Sequence, residues 1–183
     1  ARRAEGGVRG VTGLMAPLWT PARVVELLWH DLCKPGLGRC LWLLWGGKPL
    51  RLANKAFVKE PEMRACFTFR RPMPDYWLGR DGPDQWSWLE VHPQHVFTNS
   101  AGEAEQMSVG VAQNALPNTP GPAPMAHKAG AMGSSWHDGG NDPREDAVNL
   151  GLNFEEQWRR AMEVNPKFIF VTGWNEWVAG RYT

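Results

Sequence analysis

The chain has 183 residues, twenty basic against nineteen acidic side chains and a formal net charge of +1. That balance supplies no sustained field for a nucleic-acid backbone or an anionic membrane, and the longest strongly apolar run, residues 41–45, is far short of the roughly 20 residues a membrane helix needs. Neither nucleic acid nor membrane insertion is expected. The outlying number is eleven tryptophans against two tyrosines. An indole N–H wants a partner, which makes Trp costly in an ordinary core, so this richness points to broad flat surfaces for stacking. Sugar rings, with their apolar C–H faces, are a natural occupant.

The sequence starts at Ala1 and stops seven residues after Glu176. It reads as a fragment, one partial domain over residues 1–183 whose first fifteen or so residues, basic and Gly-rich, are expected to be poorly ordered. No leader peptide is visible, and a truncated start would hide one, so the compartment stays open. A secreted or periplasmic location is favoured if such a leader exists.

Taken in order, Thr20-Pro21 has the form of an N-cap and a first-turn proline, and Val24, Leu27, Leu28 and Leu32 recur at helical spacing until Pro35-Gly36. Residues 41–45 and 50–54 are short extended pieces around the turn Gly46-Gly47-Lys48-Pro49. Residues 65–70, 86–91 and 107–112 are further β-like segments. From 113 to 141 there is no periodicity, only Pro, Gly, Ala, Ser and scattered His. A loop that long is usually functional or disordered.

Asp142-Pro143-Arg144-Glu145 and Asn153-Phe154-Glu155-Glu156 each have the form of a capping box. Phe154, Trp158, Ala161 and Met162 then fall on one helical face, Asn165-Pro166 ends that helix, and residues 167–172 form a nearly all-apolar strand. This is the grammar of an α/β unit with a sheet buried on both faces. Cys33, Cys40 and Cys66 form no CxxC pair. A disulfide closing residues 33–40 is possible, and buried free thiols are favoured.

About five strands are legible, with no repeat and no GxGxxG behind any of them. Polar or charged residues sit where each strand ends: Asn54, Arg70, Glu90 with His92, Gln113 with Asn114, and Asn175 with Glu176. The pattern predicts the C-terminal part of a (β/α)8 TIM barrel, in which that rim carries the chemistry.

Glu176 stands between Trp174 and Trp177. Apolar aromatic walls disfavour a charged carboxylate and suit a proton donor; a helix N-cap or an ion pair with Arg181 is the structural alternative. Glycoside hydrolysis uses two carboxyls, about 5 Å apart for retention or roughly 6.5–9.5 Å for inversion. Glu90, closing a second Trp-rich segment after Trp88, is the preferred partner, against the reading that it only pairs Arg70 or Arg71. His92 and His95 flank Pro93, which excludes the helical geometry of HExxH sites, and no Cys lies nearby. They read as polar loop residues that hydrogen-bond a substrate, and no metal or cofactor is expected. His137 is placed to orient or protonate a hydroxyl, against a solvated histidine on a Gly-rich loop. Neither GxSxG nor a P-loop is present.

The closing stretch FVTGWNEWVAGR resembles the strand-end WNEW signature of the family 71 and family 99 glycoside hydrolase-like barrels, including their polysaccharide-biosynthesis relatives. The stretches QWSWLEVHPQHVF and EQMSVGVAQN are similar to uncharacterised bacterial proteins of that group. The resemblance covers roughly residues 40–183, and only its WNEW part is specific. It implies an eight-stranded barrel, of which this chain is the C-terminal portion, and a carbohydrate ligand. By position Glu176 matches the first carboxylate of a NEWxEG-like pattern, whereas Ala179 stands where a second glutamate is found, so Glu90 is not a partner that the resemblance supplies.

The expectation is therefore a glycoside hydrolase with Glu176 as general acid/base and Glu90 as the opposing carboxylate. Trp174, Trp177 and Trp88 would stack on sugar rings, and Asn175, His92, His137, Asn114 and Arg70 would hydrogen-bond the substrate. The alternatives are a sugar-binding protein without catalysis, glycosyl transfer in polysaccharide assembly, and an inert rim whose tryptophans only pack.

Overall fold

Gly46 and Gly47 both take positive φ, 59° and 77°, which a two-residue hairpin of the primed type requires and glycine adopts without strain. They fold β1 (Leu44–Trp45) back antiparallel on β2 (Lys48–Leu52). Pro61 then opens a helix at the first-turn position, α1 (Pro61–Cys66), with Glu62 in its first turn. Ala65 and Cys66 thus complete a helix, and the strand expected from residue 65 begins only with β3 (Thr68–Pro72). β3 lies parallel to β2, Leu50 opposite Thr68 and Leu52 opposite Arg70. Ala53, Val58, Met63, Phe67 and Phe69 form the core here, with Trp29 and Cys66 against it. The Arg51 guanidinium sits 4.0 Å above the Trp42 ring.

These elements belong to the first of two compact units, Ala1–Arg71 and Pro72–Thr183, of a computed structural model that describes residues 29–30, 42–72, 78–113, 115–116 and 130–173. Apart from Trp29 and His30, the helix expected after Thr20 lies outside the described residues, as do Cys33 and Cys40. Cys66 is a free thiol.

The second unit contains β4 (Gln85–Trp86), β5 (Phe97–Thr98), β6 (Ala104–Gly110), β7 (Trp136–His137), β8 (Gly140–Asn141), α2 (Leu152–Val164) and β9 (Phe168–Thr172). β6 is central in the order β5-β6-β9. Its antiparallel pairing with β5 follows from a tight turn in which the Asn99 side chain accepts from Ala101 N (3.0 Å) and Glu103 N (3.1 Å). Its parallel pairing with β9 runs from Gln106 opposite Phe168 to Gly110 opposite Thr172, and α2 lies on the connection between these two strands, as parallel neighbours require. Phe97, Met107 and Val109 are buried in the core, and Trp86 stacks on Phe168 at 4.8 Å while its indole N–H donates to Glu105 at 2.8 Å.

The barrel expected from the sequence does not form. The described residues contain two α-helices, and their strands lie in small sheets, none of them closed. A barrel needs parallel strands each followed by a helix, whereas the turns at Gly46-Gly47 and after Asn99 reverse the chain within a few residues and leave no length for a crossover. The segment expected as a strand over 86–91 pairs only at Gln85–Trp86. Beyond it, Ser87 N and O are taken by the side-chain amide of Gln106, at 3.0 and 3.1 Å, in place of a neighbouring strand. No helix among the described residues is long and apolar enough to cross a membrane.

Candidate functional site

Parallel pairing brings the carboxyl ends of β6 and β9 together, Val111 N donating to Thr172 O at 3.3 Å. In open α/β sheets, ligands gather at this edge. The first two turns of α2 are tied to the same place: Asn153 Nδ2 donates to Gly110 O at 3.1 Å, and Gln157 Oε1 accepts from Gly110 N at 2.5 Å.

The face α2 buries is Asn153, Glu156, Gln157 and Ala161. This corrects the apolar face read from the sequence: Ala161 is inside, Met162 is 71% exposed, and Phe154 and Trp158 meet edge-on at 6.0 Å, half-buried. Asn153 is likewise not an N-cap. Gly151 holds that position in a left-handed conformation, which releases the Asn153 side chain to reach β6. Only a 3-10 turn, Ala147–Asn149, follows the other expected capping box.

Buried amides need partners, and these stitch the segment 90–95 to the edge. Gln157 Nε2 donates to Glu90 O at 3.3 Å, and Gln94 Nε2 donates to Gln157 O at 3.1 Å and Ser108 O at 3.0 Å. Within that segment the Glu90 side chain is fully enclosed, 0% exposed, with Oε2 2.6 Å from Nδ1 of His95, whose own side chain is 38% exposed. Gly79 makes room for the imidazole. Its φ is +71°, and a Cβ there would lie 2.5 Å from His95 Cγ.

A second pair sits beside the first. His92 Nδ1 is 3.4 Å from Oε2 of the buried Glu156, whose Oε1 accepts from Asp138 N at 2.8 Å and so anchors the β7–β8 hairpin to α2. On that hairpin, His137 Nδ1 lies 3.3 Å from Ser135 O and Nε2 3.8 Å from Asp142 Oδ2. The Asp142 carboxyl is held down to about 2 by hydrogen bonds from the Arg144 guanidinium and backbone N–H.

Several hydrogen-bonding atoms at the edge are left over. Both amide atoms of Gln113, Oδ1 of Asn153 and Oγ1 of Thr172 are buried without a partner. Each such group costs about 1–3 kcal/mol, so buried water, or a ligand admitted by an opening of this edge, would meet them.

Of the residues singled out from sequence, Glu90 and His92 are brought to this edge, and His137 is on the hairpin tied to α2. Trp88 is half-buried and edge-on to Phe170 at 5.1 Å. Arg70 is buried in β3 of the first unit, Nη1 donating to Phe69 O at 2.8 Å. Trp174, Asn175, Glu176, Trp177 and Asn114 lie outside the described residues. Reading the sequence missed Gln157 and gave Glu156 no role beyond a capping box; His95 is the loop residue the sequence suggests, and Gln113 lies past the end of β6, as read. The spacing of Asn153, Glu156 and Gln157, which puts three polar side chains on one helical face, was the available signal.

Among the described residues, no three His, Cys, Asp or Glu side chains gather as metal ligands. Comparison of the chain with family models, with curated proteins and with solved structures finds no match.

Proposed function

We propose that the chain is part of a carbohydrate-active protein that hydrolyses glycosidic bonds, with Glu176 as general acid and the Glu90 segment supplying the opposing basic group. The observation that carries this reading is the set of unspent polar atoms on Gln113, Asn153 and Thr172 at the edge where β9 ends. A neutral polyhydroxylated ligand, entering as this edge opens, offers donors and acceptors to such a set, and the near-zero net charge suits a neutral ligand. The chain runs from Thr172 through Gly173 directly into Trp174-Asn175-Glu176-Trp177, the stretch that resembles the WNEW motif of glycoside hydrolase-like proteins.

The test is Glu176→Gln in the whole chain, assayed for reducing sugar released from soluble polysaccharides. Loss of a general acid lowers turnover by about two to four orders of magnitude while sugar binding survives. Undiminished hydrolysis by that variant removes Glu176 from the chemistry.

Two observations favour a second reading, sugar binding without turnover. The Glu90 carboxyl is enclosed, and Ala179 stands where the resembled pattern has a glutamate. On that reading glycans bind and no reducing sugar appears.

A further inference from the structure

We infer that His95, with Glu90 behind it, is the proton acceptor this site turns toward its ligand, and that Glu90 is a positioning residue acting through the imidazole. The inference takes the class of ligand from the carbohydrate reading above, but the Glu90–His95 arrangement stands apart from it.

The Glu90 side chain has no exposed surface, so it meets no substrate without rearrangement, whereas 38% of the His95 side chain is open. An ionised carboxylate only accepts hydrogen bonds. Glu90 Oε2 faces His95 Nδ1 at 2.6 Å and the His95 backbone N–H at a longer 3.4 Å. With Glu90 ionised, the proton of the neutral ring is on Nδ1 and the lone pair is on Nε2, which makes no hydrogen bond to the described residues. This is how a carboxylate fixes the tautomer of a catalytic imidazole. The ring packs closely against Gly79, whose lack of a Cβ permits the approach. His92 is less suited: its Nδ1 is 3.4 Å from Glu156, a carboxylate that is also committed to Asp138 N.

In the hydrolytic step a water oxygen bonds to the anomeric carbon and gives a proton to His95 Nε2. The bond from that carbon to the glycosidic oxygen breaks, and the leaving oxygen takes a proton from solvent. Imidazolium then returns its proton to solvent, so that one water is consumed and nothing is oxidised or reduced. The enclosed Glu90 charge offsets the imidazolium while it exists.

The experiment uses the full chain labelled with nitrogen-15 in its histidines. About two pH units above the ordinary histidine range, the imidazole spectrum of wild type is expected to show His95 as the Nδ1–H tautomer, with Glu90→Leu moving it to the Nε2–H form. Acylation of His95 by diethyl pyrocarbonate is expected to slow about tenfold in Glu90→Leu, the worth of one hydrogen bond to a charged partner. Glu90→Gln, which preserves volume, serves should the leucine variant fail to fold, with a smaller slowing in the same direction. An Nε2–H tautomer in wild type, or acylation indifferent to both substitutions, overturns the inference. With soluble polysaccharides, His95→Gln is expected to lower kcat at least a hundredfold with KM unchanged; unchanged kcat again overturns it. Wild type that shows the Nδ1–H tautomer yet neither binds nor cleaves the polysaccharides leaves the Glu90–His95 arrangement standing and discards the carbohydrate reading instead.

Discussion

Replacing Gln157 by leucine isolates the tie between the sheet edge and the Glu90 segment. The side chain is fully buried and spends both ends of its amide, accepting from Gly110 N at 2.5 Å and donating to Glu90 O at 3.3 Å. Leucine fills nearly the same space and leaves a backbone N–H and a backbone C=O buried. Counting the short bond at the upper end of the range and the long one at the lower end gives a loss of about 3 plus about 1 kcal/mol. Removing the amide's own desolvation and adding apolar contact returns about 1–2 kcal/mol. The net expected destabilisation is about 2–3 kcal/mol, a downward shift of roughly 1–2 M in the urea midpoint for a small domain. The assay is urea unfolding followed by tryptophan fluorescence, with the slope compared between the two proteins. A loss below about 0.5 kcal/mol at unchanged slope would refute the assignment of Gln157 as the tie.

Gly79→Ala and Gly102→Ala form a matched pair, since both glycines have positive φ, +71° and +80°, but only at Gly79 does the added methyl meet a neighbour, the His95 ring at 2.5 Å. Gly102→Ala should cost only the left-handed backbone penalty of about 1–2 kcal/mol. Gly79→Ala should cost clearly more and displace His95 from Glu90; equal losses in thermal unfolding would show that the ring is not held there. Asp142 provides a pH signature. Its folded-state carboxyl titrates at about 2, below its ordinary 3.8, because Arg144 hydrogen-bonds it. The stability it contributes is therefore fully present above 3.8 and disappears as pH falls through about 2, so wild type and Asp142→Asn should differ above 3.8 and converge toward pH 2. A difference as large at pH 2 as above 3.8 would contradict this.

What the sequence made legible were features set by neighbours along the chain. The strand ending in Thr172 and the stop at Asn165-Pro166 stand as read, because an apolar run and a proline act locally. The Gly46-Gly47 turn was legible for the same reason, although its consequence, an antiparallel hairpin, argues against the barrel inferred from the strand ends. Pairing direction depends on which segments meet, and residue pattern alone does not state it. The buried face of α2 was misread because apolar residues were assumed to point inward, whereas Asn153 and Gln157 go inside to satisfy the backbone of Gly110 and Glu90. Glu90 was singled out for its place after Trp88; that its carboxyl would turn onto His95, five residues on, depends on a bend no periodicity reveals.

The side-chain amide signals of Gln113 and Asn153 report most directly on whether this sheet edge holds a sugar. Titrating the nitrogen-15-labelled chain with soluble oligosaccharides should shift both of them saturably, while the amide of Gln106, already committed to Ser87, stays in place. Oligosaccharides that bind the chain and leave Gln113 and Asn153 unmoved would contradict the assignment of the site.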